Sequence, residues 1–148
     1  MKIACAFDHA GFELREEVLG AVEAAGHEPI DMGVHSPEPV DYPDVARKVG
    51  RAVATGVAER GILVCGSGAG VSVAASKIDG IRAATIHDEY TAHQAVEHDD
   101  VNVLCLGSRV IGGELAKEIV GKFLAAEVSQ EERHVRRRAK IDQIEAEN

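Results

Sequence analysis

Five short apolar runs, each followed by a segment of helical period, divide this chain from end to end. KIACAF at 2–7 is the first strand-like run. Over 11–25 the spacing lengthens, so that Leu14, Val18, Ala21, Val22 and Ala25 share one face, and Gly26 stands where a helix stops. A short strand around Ile30 carries Pro29, which fits an edge position because proline has no amide to donate. After the loop-like stretch MGVHSPEPVDYP at 32–43, Val45, Val49, Ala52 and Val53 mark a second helix, with Gly56 near its end. A third run at 61–65 enters a glycine-rich turn and a helix to about Lys77. A fourth, at 82–86, precedes a helix that Asp88 can cap and that ends near Glu97. The fifth, at 101–106, precedes a helix striped by Ala116, Ile119, Val120 and Phe123. Ser129 with Glu132 three residues on predicts a capping box for a last helix, about 129–147, which has few apolar residues and a dense basic cluster, RHVRRRAK.

This alternation with short connections predicts a single α/β domain over 1–148, an open sandwich around a five-stranded parallel sheet with an extra C-terminal helix. Aromatic residues are only 3% of the chain and tryptophan is absent, so Ala, Val, Ile and Leu must fill the interior, as suits a sheet covered on both faces. Lys and Arg number 16 against 25 Asp and Glu, which argues against a general nucleic-acid or anionic-membrane surface. No run approaches a membrane span. The three cysteines are odd in number, widely spaced and set in apolar runs, which is neither a disulfide framework nor a CxxC motif. A reduced, soluble, cytoplasmic protein is expected.

The third run ends in CGSGAG at 65–70. In parallel sheets ligands sit outside the carboxyl ends of the strands, and glycines there let several amides converge on one spot. Converging N–H groups favour an anion, although a tight turn without ligand has the same look. A dinucleotide fingerprint needs Gly or Ala where Val71 stands, and the lysine of a nucleotide P-loop is absent. Cys65 is either a small apolar filler or, beside those amides, a thiol that ionises more easily. Asp8 and His9 follow the first strand, on the same rim as Cys65, and are either helix caps or site residues. His98 precedes the fifth strand, at the opposite rim, and is either a solvated helix-end histidine favoured by the helix dipole or, if it takes part in chemistry with Cys65, a residue of a neighbouring chain. Arg133 and Arg137, spaced i, i+4, project together and suit a phosphate, against the plainer reading of a solvated helix face. His87, Asp88, His93, His98, Asp99 and Asp100 match no ligand spacing, so no metal is expected.

DHAGFELR, DYPDVA, ILVCGSGAGVSVAASKIDGIRAA, EHDDVNVLCLGSRVIG and RHVRR run in that order along nearly the whole chain. Together they resemble the sugar-phosphate isomerase family that includes ribose-5-phosphate isomerase B and the galactose-6-phosphate isomerase subunits. The resemblance implies a Rossmann-like three-layer α/β/α sandwich and a dimer, often paired into a tetramer, with sites between subunits and the last helix on a partner. It implies no cofactor, and interconversion of ribose 5-phosphate and ribulose 5-phosphate through an enediolate. Carried over residue by residue, Cys65 becomes the base and His98 of the partner chain the ring-opening acid. Asp8 and His9 hold the sugar or its phosphate end, and Tyr42 lines the pocket. Gly66, Ser67, Gly68, Ala69 and Gly70 form the anion hole, and Arg109, Arg133 and Arg137 hold phosphate. Two departures stand out. Asp99 replaces the asparagine of many relatives, where a carboxylate accepts hydroxyl hydrogen bonds but repels a phosphate. Val71 occupies the place of a glutamate base used in one branch, leaving Cys65 without a competitor. The alternatives are the same chemistry on a six-carbon phosphate such as allose or galactose 6-phosphate, and a non-catalytic sugar-phosphate or nucleotide-binding module.

Overall fold

The computed structural model describes residues 1–148. In chain order they form β1 (Lys2–Phe7), a 3-10 turn (Gly11–Leu14), α1 (Arg15–Ala24), β2 (Glu28–Asp31), α2 (Tyr42–Ala54) and β3 (Arg60–Cys65). There follow α3 (Ala69–Ala75), β4 (Ala83–Thr85), α4 (Glu89–Asp99), β5 (Val103–Gly107), α5 (Gly113–Ala125) and α6 (Glu132–Ala146). All strand pairs are parallel, in the order β2-β1-β3-β5-β4. The expected α/β/α sandwich is therefore present, with Pro29 on an edge strand as its missing amide requires. No helix is long and apolar enough to cross a membrane.

Strand alternation builds two cores. Ile3, Cys5, Phe7, Ile62, Val64, Leu104 and Leu106 point to the face covered by α1, α4 and α5, where Val18, Val22, Val96, Ile119 and Phe123 meet them. Ala4, Ala6, Leu63, Cys65, Val103 and Cys105 point the other way, under Val45 and Val49 of α2 and Val71 and Ala75 of α3. Burying each Val, Leu, Ile or Phe side chain stabilises the fold by about 1.5–3 kcal/mol. The chain leaves β1 toward β2 on one side and returns to β3 on the other. The loops after β1 and β3 therefore part at the carboxyl ends of neighbouring strands, where such sheets open a crevice.

Two expectations need correction. The helix expected from residue 11 begins as a 3-10 turn, because Asp8 Oδ1 accepts the Gly11 amide at 2.8 Å and pins the chain before α1 starts. The capping box at Ser129 does not form: Glu131 is the N-cap of α6 and makes no side-chain cap bond. Ser129 Oγ instead accepts the Glu131 amide at 3.1 Å and lies 2.8 Å from His134 Nδ1. The last helix, expected against a partner, is fastened to its own subunit. Arg138 donates to the His98 and Ser129 carbonyls, Asp142 pairs with Arg82, and Glu145 accepts the Gly80 amide.

Candidate active site

The turn after β3 is braced from three directions. Thr85 Oγ1 on β4 donates to the Gly68 carbonyl at 2.8 Å. Past β5, the Ser108 amide donates to the Cys65 carbonyl at 2.8 Å and the Arg109 amide to the Gly66 carbonyl at 3.0 Å. Ser108 Oγ ties the loop after β1 to the same frame, donating to the Ala10 carbonyl at 2.7 Å. Gly68 takes φ +82°, and a Cβ there would stand 3.0 Å from the Leu106 carbonyl carbon, so no larger residue fits without strain. At Gly70 a Cβ would come within 2.9 Å of the Tyr42 ring. The absent side chain lets the tyrosine close over the turn.

The bracing leaves donors directed at one place. The Gly68 amide donates to Cys65 Sγ at 3.1 Å, and the Ala69 amide to Ser67 Oγ at 3.2 Å. The amides of Gly66, Ser67, Gly70 and Val71 have no protein acceptor. An N–H aimed at sulfur stabilises negative charge on it, and unpartnered amides around a turn favour an anion. Cys65 is 5% exposed, yet it forms part of the wall of a cavity of about 330 Å³. Asp8, Tyr42, Gly66, Ser67, Gly70, Arg109 and Val110 line the rest. Cys5 and Cys105 are fully buried inside strands. Burial, with a smaller push from Asp31, takes the Cys5 thiol up to about 12. Cys105 is pushed up too, by burial and then by Cys65. Neither forms an accessible thiolate. A larger hollow of about 690 Å³ between α1 and α5 is lined by Glu16, Glu17, Lys117 and small residues, and has none of these donors.

The cavity thus gathers seven residues singled out in the sequence: Asp8, Tyr42, Cys65, Gly66, Ser67, Gly70 and Arg109. His9 stands just outside it, its Nδ1 accepting the Val40 amide at 3.3 Å. His98, Asp99, Arg133 and Arg137 are not among its walls. His98 stands in the last turn of α4, shortly before β5 begins, whereas Cys65 pairs with Gly107 where β5 ends. At about 3.3 Å per residue, β5 alone sets the two groups on the order of 15 Å apart along the sheet. Sequence reading missed Val110, which lines the cavity, and the braces Thr85 and His87, the latter accepting the Gly107 amide at 2.9 Å through Nε2. Hydroxyl and imidazole groups at strand ends have no local spacing that marks them as braces.

The profile of the family described as ribose/galactose isomerase matches residues 3–141. The chain belongs to the ribose/galactose isomerase family. Among its relatives, ribose-5-phosphate isomerase B of Escherichia coli (strain K12) is 46% identical over 144 residues, covering 97% of this chain and 96% of the relative. The solved type B ribose 5-phosphate isomerase of Trypanosoma brucei superposes with a TM-score of 0.94 at 49% identity, covering 97% of each chain. A third relative, ribose-5-phosphate isomerase B from Mycoplasma genitalium, was solved with bound ribulose-5-phosphate. It matches with a TM-score of 0.92 at 37% identity, over 99% of this chain and 97% of that one. The fold of a ribose/galactose isomerase therefore covers nearly the whole of this chain, and the strand-end cavity lies inside the matched residues 3–141.

Proposed function

We propose that this enzyme interconverts ribose 5-phosphate and ribulose 5-phosphate, with Cys65 carrying hydrogen between C1 and C2. The observation behind this reading is the Cys65 sulfur in the cavity wall, bonded to the Gly68 amide and flanked by turn amides that have no protein acceptor. In the aldose-to-ketose direction the thiolate takes the C2 hydrogen as a proton. The C–H electron pair becomes the C1=C2 bond, and the carbonyl pair moves onto O1. The O2 hydroxyl proton then passes to O1 as C2 becomes a ketone, and C1 takes the proton back from the Cys65 thiol. Preorganised N–H donors at the charged oxygen lower the barrier by about 3–4 kcal/mol per critical donor. A positioned base contributes about 10²–10⁴ in rate. Asp8 and His9 hold sugar hydroxyls, Tyr42 covers the ring, and Arg109 meets the phosphate, whose remote charge fixes the reacting carbons. Val71 is fully buried and offers no rival base.

His98, as ring-opening acid, and Arg133 and Arg137, as further phosphate ligands, reach this cavity from a second copy of the chain. The cavity of one chain has a single guanidinium, Arg109, while the opposite rim presents exposed Arg133 and Arg137 beside a partly exposed His98. A twofold dimer that sets each rim against the other chain's strand ends completes two sites at once. The C-terminal helix then touches both its own α4 and the partner.

The test is a panel of four- to six-carbon aldose phosphates assayed with wild type, Cys65→Ala, His98→Asn and a mixture of the two variants. Ribose 5-phosphate is expected to turn over fastest, and each variant alone to lose about 10²–10⁴ in kcat. Subunits exchanged in the mixture form hybrid dimers with one intact site, regaining about a quarter of wild-type activity. Turnover untouched by Cys65→Ala removes the assigned base. Preference for a six-carbon phosphate moves the substrate, and no turnover on any member supports a binding module instead.

A further inference from the structure

His98 and His134 form a stacked imidazole pair, with ring centroids 4.0 Å apart and planes 25° from parallel. The two members differ in surroundings. The His98 side chain is 34% exposed, whereas His134, in the first turn of α6, is 4% exposed. His134 Nδ1 lies 2.8 Å from Ser129 Oγ, and that oxygen already accepts the Glu131 amide. The serine hydroxyl can donate to Nδ1 or accept from it, and either way it holds the ring in place. One turn further along α6, Arg138 donates to the His98 carbonyl at 3.2 Å. The last helix therefore grips residue 98 by its ring and by its backbone.

We propose that His134 is a positioning residue for His98: a buried imidazole on which the His98 ring lies flat and which fixes the direction in which that ring points. The proposal rests on the reading of His98 as the ring-opening acid. An acid must hold its proton and aim it, and a stacked floor removes the rotation that would spoil the aim.

The charges around the pair differ between its two members. Two imidazolium rings at 4.0 Å repel, which disfavours a second proton on the pair. Burial, then His98 and the Arg133 and Arg137 guanidiniums of α6, hold His134 below the ordinary histidine range, with Glu131 alone opposing. On the α4 side, Glu97 Oε1 stands 3.7 Å from His98 Nε2 and its other oxygen bonds His93. Asp99 adds negative charge next in the chain, and Arg138 meets His98 through its backbone carbonyl. Carboxylates thus gather beside His98 and guanidiniums beside His134.

A histidine that merely filled space would give up stability on substitution and leave the pH profile alone. The assembled enzyme is therefore compared as wild type, His134→Ala and His134→Phe, with kcat and KM measured across pH and the imidazole signals followed by NMR titration. His134→Ala is expected to lower kcat about ten- to hundredfold with little change in KM, and to shift the limb of the pH profile that His98→Asn abolishes. His134→Phe, which keeps a flat neutral floor, is expected to restore most of the rate. In wild type the His134 signal is expected to titrate below the ordinary histidine range. A His134 that titrates at or above that range, or an unshifted profile in His134→Ala, overturns the proposal. Full turnover by His98→Asn overturns the catalytic reading beneath it. The titration needs no substrate, so the two failures are told apart.

Discussion

At the scale of single residues, the site depends on how little space the turn leaves. Gly68 is held at φ +82° against the end of β5, its amide is spent on the Cys65 sulfur, and its carbonyl is spent on Thr85. A Gly68→Ala change meets both the left-handed backbone penalty and the Leu106 carbonyl carbon at 3.0 Å. It is expected to cost about 1–3 kcal/mol in stability, read from urea unfolding. The displaced amide should also lower kcat more than it raises KM, since the sulfur it supports takes the proton rather than holding the sugar, and without that donor less of it is thiolate. An enzyme with unchanged kcat would show that the turn relaxes without moving its donors. Much of this site was legible in the sequence, because Cys65, the three glycines and Asp8 sit at strand ends that apolar runs make visible. The braces were not, since Thr85 and His87 act through backbone groups of residues 17 and 20 positions away.

Among the elements, the helix stripes and strand alternation were readable because period and burial agree: Val45, Val49 and Ala52 of α2, like Ala116, Ile119, Val120 and Phe123 of α5, lie where their spacing put them. Strand order was not readable, because pairing is chosen by crossovers between distant segments. The capping box failed because the Ser129 hydroxyl is claimed by the buried His134, a contact no local spacing reveals. Arg60 is a similar case. It opens β3, yet its guanidinium donates to the Phe123 carbonyl at 2.7 Å and the Ala126 carbonyl at 2.9 Å, and lies 5.5 Å from the centre of the Phe123 ring. One side chain thus closes the open carbonyls at the end of α5 and joins that helix to the sheet. Replacing it with methionine, Arg60→Met, keeps the apolar stem but strips these bonds, and should cost about 2–3 kcal/mol in chemical denaturation. A loss well below 1 kcal/mol would mean that water takes over the carbonyls.

For the whole molecule, pH dependence near neutrality belongs to histidines. Burial lowers His87 below the ordinary histidine value. Burial lowers His27 too, followed by the N-terminal ammonium and Arg60, with Glu59 opposing. A histidine whose folded pKa is depressed is stabilising in its neutral form, so its contribution is full above about pH 6.5 and is lost as pH falls through the lower folded value. Asp31 is also depressed: burial pushes it up, but the Arg15 bond, the Gly33 amide and the Arg15 and His35 charges outweigh that. Its contribution disappears only in the acid range. The urea midpoint is therefore expected to fall between about pH 7.5 and about pH 5, and to fall less in His87→Gln, whose amide oxygen can accept the Gly107 amide without titrating. A midpoint flat across that interval would contradict this account. Order of synthesis gives α6 a distinct place in the life of the molecule. It leaves the ribosome after every strand and after every helix that packs on the sheet, and His134 is the one residue it buries. Neither hydrophobic core takes a residue from α6, so the interior asks nothing of that helix, which serves instead as the clamp on the rim histidine.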